Sequence, residues 1–172
     1  MHLDGSMVIE HGAITRIDSA IDLTSLQLAL RNHQPVSIPS LHTTVVYNHR
    51  DHQHSLCLDS LSMQLGNSPM RDNHLCIDYD QTKKTGHVAL SYLNMPMLRL
   101  VRPYLDMATP LDQLTEGAFD DIHIDVVDNT LDKVRMHVRG VSWPRQGSWP
   151  GVKNIHANVH WHRQPTFGLH VT

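Results

Sequence analysis

The sequence predicts an all-β fold: mainly an elongated, curled antiparallel meander that forms a hydrophobic groove or partly open barrel, with one short helical insertion around residues 95–116. Three observations lead there. Apolar residues recur at every second position along almost the whole chain, the period of strands with one greasy and one wet face. Short polar turn signals separate these runs, as hairpins between successive strands require. A single segment, NMPMLRLVRPYLD, carries a helical repeat instead.

Almost at once, from Ser6, comes SMVIEHGAITRID, which reads as strand. Leu26, Leu28 and Leu30 alternate next, then Val36 and Ile38, then Leu41, Val45 and Tyr47 around Thr43. The stretch SLCLDSLSMQL places Leu56 and Leu58 in one phase and Leu61, Met63 and Leu65 in the other. A β-bulge near Asp59-Ser60 would produce that change of parity. Leu75, Ile77 and Tyr79 follow, then Val88 and Leu90, then Ile122, Ile124 and Val126. The last runs are Val134, Met136 and Val138; Ile155, Ala157, Val159 and Trp161; and Phe167, Leu169 and Val171. Turns are expected at Gly66-Asn67, Lys83 to Gly86, Asp128-Asn129 and Arg163 to Thr166.

In the exceptional segment, Met97, Leu98, Leu100, Val101, Tyr104 and Leu105 follow a 3.6-residue repeat, with Arg99, Arg102 and Asp106 opposite. Asn94 can cap the start, and Pro96 falls in the first turn, where its missing N–H costs little. Pro103 is expected to end or kink the helix, and Thr109-Pro110 to open a second short turn closed by Gly117. The apolar stripe is expected to pack on the sheet, with membrane-surface binding as the alternative. Both chain ends read as strands of a longer sheet, so residues 1–172 are expected to form one β-groove segment excerpted from a longer protein.

Composition excludes several classes. The hydrophobic fraction of 40% is ordinary for a globular domain. No apolar run approaches the roughly 20 residues that span a bilayer, and no signal peptide follows Met1. Fourteen basic and 17 acidic residues give a net charge of −3, without the positive stripe of a nucleic-acid binder. The 15 histidines are unusual; full protonation would take the formal charge to +12, so the surface should change charge strongly between about pH 5 and 7.

Candidate chemistry is sparse. His156, His160 and His162 alternate with Ile155, Ala157, Val159 and Trp161. Ligands two apart on a strand stand ~7 Å apart at Cα, which makes a zinc chelate awkward without a neighbouring strand. Their bland reading is a solvated face, as is that of the hairpin tip His49-Arg50-Asp51-His52-Gln53-His54. Asp121, His123 and Asp125 share a strand face, and a carboxylate–imidazole pair can do acid–base work. No nucleophile elbow or phosphate cradle accompanies them. Cys57 and Cys76 form no CxxC unit; a tight turn at Gly66-Asn67 would set them opposite one another, but the polar run Gly66 to Asn73 argues against it. A disulfide and two free thiols both remain open. Ser142-Trp143-Pro144 and Ser148-Trp149-Pro150 are expected to seal a loop over a core. No catalytic constellation, cofactor site or resident metal is expected.

A sheet with one apolar face must cover it. About ten strands and one modest helix leave two outcomes: closure of the sheet on itself, or a trough filled by something else. From about Ser55 onward the chain resembles the repeating units of AsmA-like bridge-type lipid-transport proteins, in particular the YhdP branch of the AsmA/TamB group. The resemblance rests on LNMPMLRLVRPYLDMATPLDQL followed by Gly117 and AFDDIHIDVV, on KVRMHVRGVSWP, and on WPGVKNIHANVHW. It implies an inner-membrane-anchored protein whose periplasmic groove conducts phospholipid acyl chains toward the outer membrane and supports the outer-membrane barrier. It implies no catalytic residues. Expected partners are phospholipid, flanking segments of the same longer chain and envelope proteins. At ~4.8 Å per strand, ten strands make ~50 Å, one segment of such a bridge.

On this reading the groove is lined by Leu56, Leu58, Leu61, Met63, Ile122, Ile124, Val126, Val134, Met136, Val138, Ile155, Val159, Trp161 and Leu169, with the β-strand histidines outside in water. Two other classes compete: a histidine-rich metal-binding β-domain, and a structural β-module that pairs through its open edges.

Overall fold

The computed structural model describes residues 2–28, 36–65, 68–101, 114–145, 147–148, 150–163 and 168–171. Ten strands follow one another: β1 (His2–Glu10), β2 (Ala13–Leu28), β3 (Val36–Arg50), β4 (Gln53–Leu65), β5 (Ser68–Asp80), β6 (Thr85–Asn94), β7 (Glu116–Val127), β8 (Thr130–Trp143), β9 (Val152–His162) and β10 (Gly168–Val171). They form one sheet in strict chain order, each antiparallel to the next. β1 and β10 are its two edges, so the sheet is an open meander and not a closed barrel. Among the described residues one helix, α1 (Met95–Val101), interrupts it between β6 and β7. The expected turns at Gly66-Asn67, Gln164 to Thr166 and Thr109-Pro110, the kink at Pro103, and Trp149 and Phe167 lie outside the described residues.

Register makes the alternation count. Tyr47, Leu56, Ile77 and Val88 are successive cross-strand partners on β3 to β6, and Val88 continues to Ile124, Val134 and Trp161. Because partners across a sheet share a face, the apolar positions merge into one continuous surface. The turns that set this register lie at one end: His11-Gly12, Asp51-His52, residues 81–84 and Asp128-Asn129. Asp128 and Asn129 both have positive φ (50° and 58°), the conformation a two-residue hairpin turn demands.

At the opposite end, near α1, the strands are bulged. Inward residues there stand three apart instead of two: Leu58 and Leu61, Phe119 and Ile122, Val138 and Val141. The residue absorbing the extra step has positive φ: Ser60 on β4, Asp72 on β5, Asp121 on β7, Gly140 on β8 and Asn154 on β9. Short polar residues and glycine tolerate that conformation best, and each bulge bends its strand and raises its twist. The parity change near Asp59-Ser60 is therefore one member of a series. Gly117 (φ 125°) belongs to it as well; a Cβ there would meet Val141 at 2.5 Å.

The bend wraps the sheet around α1. Asn94 caps the helix, its Oδ1 accepting from the Met97 amide at 3.0 Å. Met95 and Leu98 pack in one cluster with Phe119, Ile122, Val138, Val141 and Ala157. Met97 belongs to a second cluster with Ile38 and Leu61. In a flat sheet β3 and β9 would stand about 29 Å apart, and a helix with its side chains is only about 10–12 Å across. One helix joins both clusters because the sheet curls toward it from both sides. The core is this bulged half plus α1, and of the expected helical stripe Met97 and Leu98 pack on the sheet, while Tyr104 and Leu105 lie outside the described residues.

Two covalent and polar ties complete this half. Cys57 and Cys76 are cross-strand partners joined by a disulfide between β4 and β5, which decides between the two states left open by the sequence. Closing a loop of this size stabilises by about 3 kcal/mol in the chain-entropy account. The polar run before Asn73, read as evidence against a tight turn, is itself strand from Ser68 onward. Asn73, 1% exposed on the apolar side, explains why polar residues belong there. Backbone pairing of β5 with β6 runs as far as Leu75 and Leu90. Beyond it the Asn73 amide donates to Tyr92 O (2.7 Å) and accepts from Tyr92 N (3.0 Å), standing in for the missing backbone partner.

Asn73→Ala removes both bonds and leaves the Tyr92 peptide groups unpaired on that side. A loss of about 2–3 kcal/mol is expected, read as a lower urea midpoint with unchanged m-value; a loss under 0.5 kcal/mol would show that water substitutes for the amide.

Candidate functional site

The apolar face divides into a filled half and an open half. Near α1 the inward side chains are fully buried, as with Ile38 (2% exposed) and Leu98 (5%). Toward the hairpin end no helix or second sheet lies over the face among the described residues. Ile77 there is 39% exposed, and at the β1 edge Met7 is 55% and Leu3 62% exposed. Large aliphatic side chains half-open to water on one continuous surface are uncommon outside binding sites.

Of the positions expected to line a groove, Leu61, Ile122 and Val138 are buried in the filled half. Leu58 and Met63 flank the cluster around Ile38, while Ile124, Met136, Ile155 and Val159 flank the one around Phe119. Leu56, Val126, Val134 and Trp161 lie toward the hairpin end, half-buried on the same face by register. Leu169 is the backbone partner of Trp161 on β10. The same face also carries Leu75, Ile77, Val88 and Leu90, which alternation makes legible, and Phe119 and Val141, which enter it only through the bulges at Asp121 and Gly140.

The hairpin rim of the face is aromatic and polar. Tyr47 Oη and His54 Nδ1 are 2.9 Å apart, and the rings of His49 and His54 stack at 4.4 Å. His54 Nε2 is buried without a hydrogen-bond partner. Two histidines of the expected solvated tip thus belong to the inner face: the turn is only Asp51-His52, and the alternation that carries Tyr47 inward carries His49 and His54 with it.

On the outer face four of the described histidines are paired with aspartates. Asp22 meets His42, Asp59 meets His74, Asp125 meets His87 and Asp121 meets His123. Arg139 adds an ion pair to Asp120 at 3.0 Å. Asp121, His123 and Asp125 are therefore the wet half of β7, their imidazole bound to a carboxylate on its own strand and facing His87 across the ladder at 3.4 Å. His156 bonds Asn154 (3.0 Å) and His160 is exposed. Among the described residues, the one grouping of three potential metal ligands within 4.8 Å is Cys57, His74 and Cys76; none of the β9 histidines belongs to it. A concavity of about 620 Å³ at the hairpin end is lined mostly by outer-face groups, including Ser55, Asp78, His87, Asp125 and Lys133. It mixes both charges and reaches His54 and Val126 at the rim of the apolar face.

Trp143 closes the loop that follows β8. Its ring flanks the Phe119 cluster while Nε1 donates to Pro150 O at 3.2 Å, so it seals the loop over the core as the sequence suggests. At the hairpin end, Asp80 organises residues 81–84: Oδ1 accepts from the Lys83 amide (2.9 Å) and the Thr82 amide (3.0 Å). The Lys83 N–H, chiefly, holds the Asp80 carboxyl below the ordinary aspartate range, assisted by Gln53 and the Lys83 charge and opposed by desolvation.

Comparison with protein-family models, with curated proteins and with solved structures finds no match for this chain.

Because the Asp80 value is depressed in the folded state, its contribution is complete above the ordinary aspartate range and is lost as pH falls through the depressed value. The Thr82 and Lys83 amide resonances are expected to titrate together with a midpoint below that of a model aspartate. A midpoint at or above the model value would contradict the turn as described.

Proposed function

We propose that this chain is a segment of a hydrophobic groove that binds and conducts phospholipid acyl chains between inner and outer membranes. The observation that supports the reading is the half-open apolar face: a single-layer sheet, one face largely aliphatic, with the described helix over one end. A buried methylene contributes roughly 0.8 kcal/mol, so an acyl chain laid across the strands gains by covering the surface that the protein leaves uncovered. The rim chemistry fits as well, since tyrosine and histidine suit a boundary between acyl chains and polar headgroups.

The resemblance of residues from Ser55 onward to AsmA-like bridge proteins, YhdP among them, supports the same reading. It carries with it a periplasmic location in an inner-membrane-anchored protein, and further segments of the groove at the open edges of β1 and β10. Envelope proteins are the proposed partners beyond those segments.

Native mass spectrometry of protein expressed with an export signal tests this. Phospholipid adducts are expected on the wild type, His156→Ala and His160→Ala, whose changes lie on the outer face. Val159→Glu and Leu58→Glu put a charge on the apolar face and are expected to cut occupancy at least tenfold while circular dichroism still reports a sheet. Equal occupancy in all five proteins would falsify the groove.

A further inference from the structure

The geometry points to a second, redox-gated site on the outer face: once the Cys57–Cys76 disulfide is reduced, both thiolates and His74 Nε2 form a Cys2His site for Zn²⁺. This inference does not rest on the groove reading. Cys57 and Cys76 are direct cross-strand partners with Cα atoms 4.1 Å apart, so both sulfurs stand over one spot. His74 lies two residues before Cys76 on β5 and therefore on the same face. The three potential ligand atoms all lie within 4.8 Å of one another.

His74 is already oriented as a metal ligand. Its Nδ1 is hydrogen-bonded to the Asp59 carboxylate. A carboxylate can only accept, so Nδ1 carries a proton, and in the neutral form that metal ligation requires Nε2 presents its lone pair. That lone pair faces Cys76 Sγ at 3.1 Å. A metal cation bound to both atoms would take the place of that contact. The chain Asp59–His74–metal is the carboxylate–histidine arrangement that fixes tautomer and ring orientation in zinc sites. Two thiolates and one imidazole satisfy three tetrahedral positions and leave the fourth for water.

The surroundings allow the exchange. Val46 flanks Cys57 from β3 and Ala89 flanks Cys76 from β6, so no cation competes on either side. Ser55 and Asp78, the next outer-face pair along β4 and β5, line the open concavity at the hairpin end. Reduction by a phosphine consumes one water: the phosphine becomes its oxide and both sulfurs leave as thiols. Zinc binding then displaces the two thiol protons to solvent. β4 and β5 stay cross-linked in either state, by a covalent bond or by the ion.

The test uses the whole chain, oxidised or reduced with phosphine, equilibrated with zinc chloride, desalted and measured by native mass spectrometry. One zinc per chain is expected in the reduced protein and none in the oxidised. Cys76→Ser is expected to abolish retention, and His74→Ala and Asp59→Asn to weaken it about tenfold or more. Cobalt in place of zinc should give a thiolate-to-metal charge-transfer band in the reduced wild type, a signal the surface histidines cannot produce. Equal zinc in oxidised and reduced protein, or in Cys76→Ser, would assign binding to those histidines and overturn the site. So would a reduced protein that keeps its sheet and holds no zinc, or one whose sheet is lost and is not restored by zinc.

Discussion

The structure depends on one constraint: ten consecutive strands must keep their apolar side chains on the same face of a single sheet. A slip of one residue anywhere would turn a whole strand inside out. The two-residue turns at Asp51-His52 and Asp128-Asn129 hold the hairpin end in phase. At the other end the bulges at Ser60, Asp72, Asp121, Gly140 and Asn154 both change the phase and restore it, because each bulged strand meets a bulged neighbour or a side chain that fills the gap. Those same bulges supply the bend that brings two apolar clusters onto one short helix. Curl, core and helix are thus consequences of the register.

The two halves of the sheet differ in what they ask of water. Around α1 the inner face is dry, and its buried polar groups are spoken for: Thr43 Oγ1 donates to Asp59 O (3.1 Å), and Ser142 Oγ accepts from Asn154 N (3.0 Å). Both serve bulged backbone, where the ladder alone cannot satisfy every group. In the hairpin half the ladder is interrupted only at Val8-Ile9 and at Asp125-Val126 among the described residues, and the apolar face is uncovered. The described helix thus lies over the half where most of the bulges fall, and the hairpin half of the face is left open among the described residues.

Much of this was legible in the residues. Alternation from Leu41 to Trp161 names the strands and the face, and the flip from Leu58 to Leu61 reveals one bulge because apolar residues stand on both sides of it. The bulge at Asp121 is hidden: reading from Ile122 gives clean alternation to Val126, and Phe119 falls out of that phase until its partner Val138 is known. Asn73 misleads for a physical reason, since an amide that replaces backbone hydrogen bonds is polar by necessity and looks like a turn. His49 and His54 mislead in the opposite sense; they are read as solvated, yet alternation places them beside Tyr47. The Asp59–His74–Cys76 line could be found only with the register of β4 against β5, because its members come from two strands.

The central claim is that the inner face, and only that face, meets lipid. Ile77 and Asp78 are neighbours on β5 that point to opposite faces, one apolar and 39% exposed, the other exposed on the polar side. A photo-crosslinking amino acid placed at each position in turn, in protein produced in cells with an export signal and illuminated there, compares the two faces at one level of the sheet. Phospholipid adducts at position 77 with none at 78 is the result expected here. Adducts at both positions alike, or none at 77, would mean that the uncovered aliphatic face serves some other purpose.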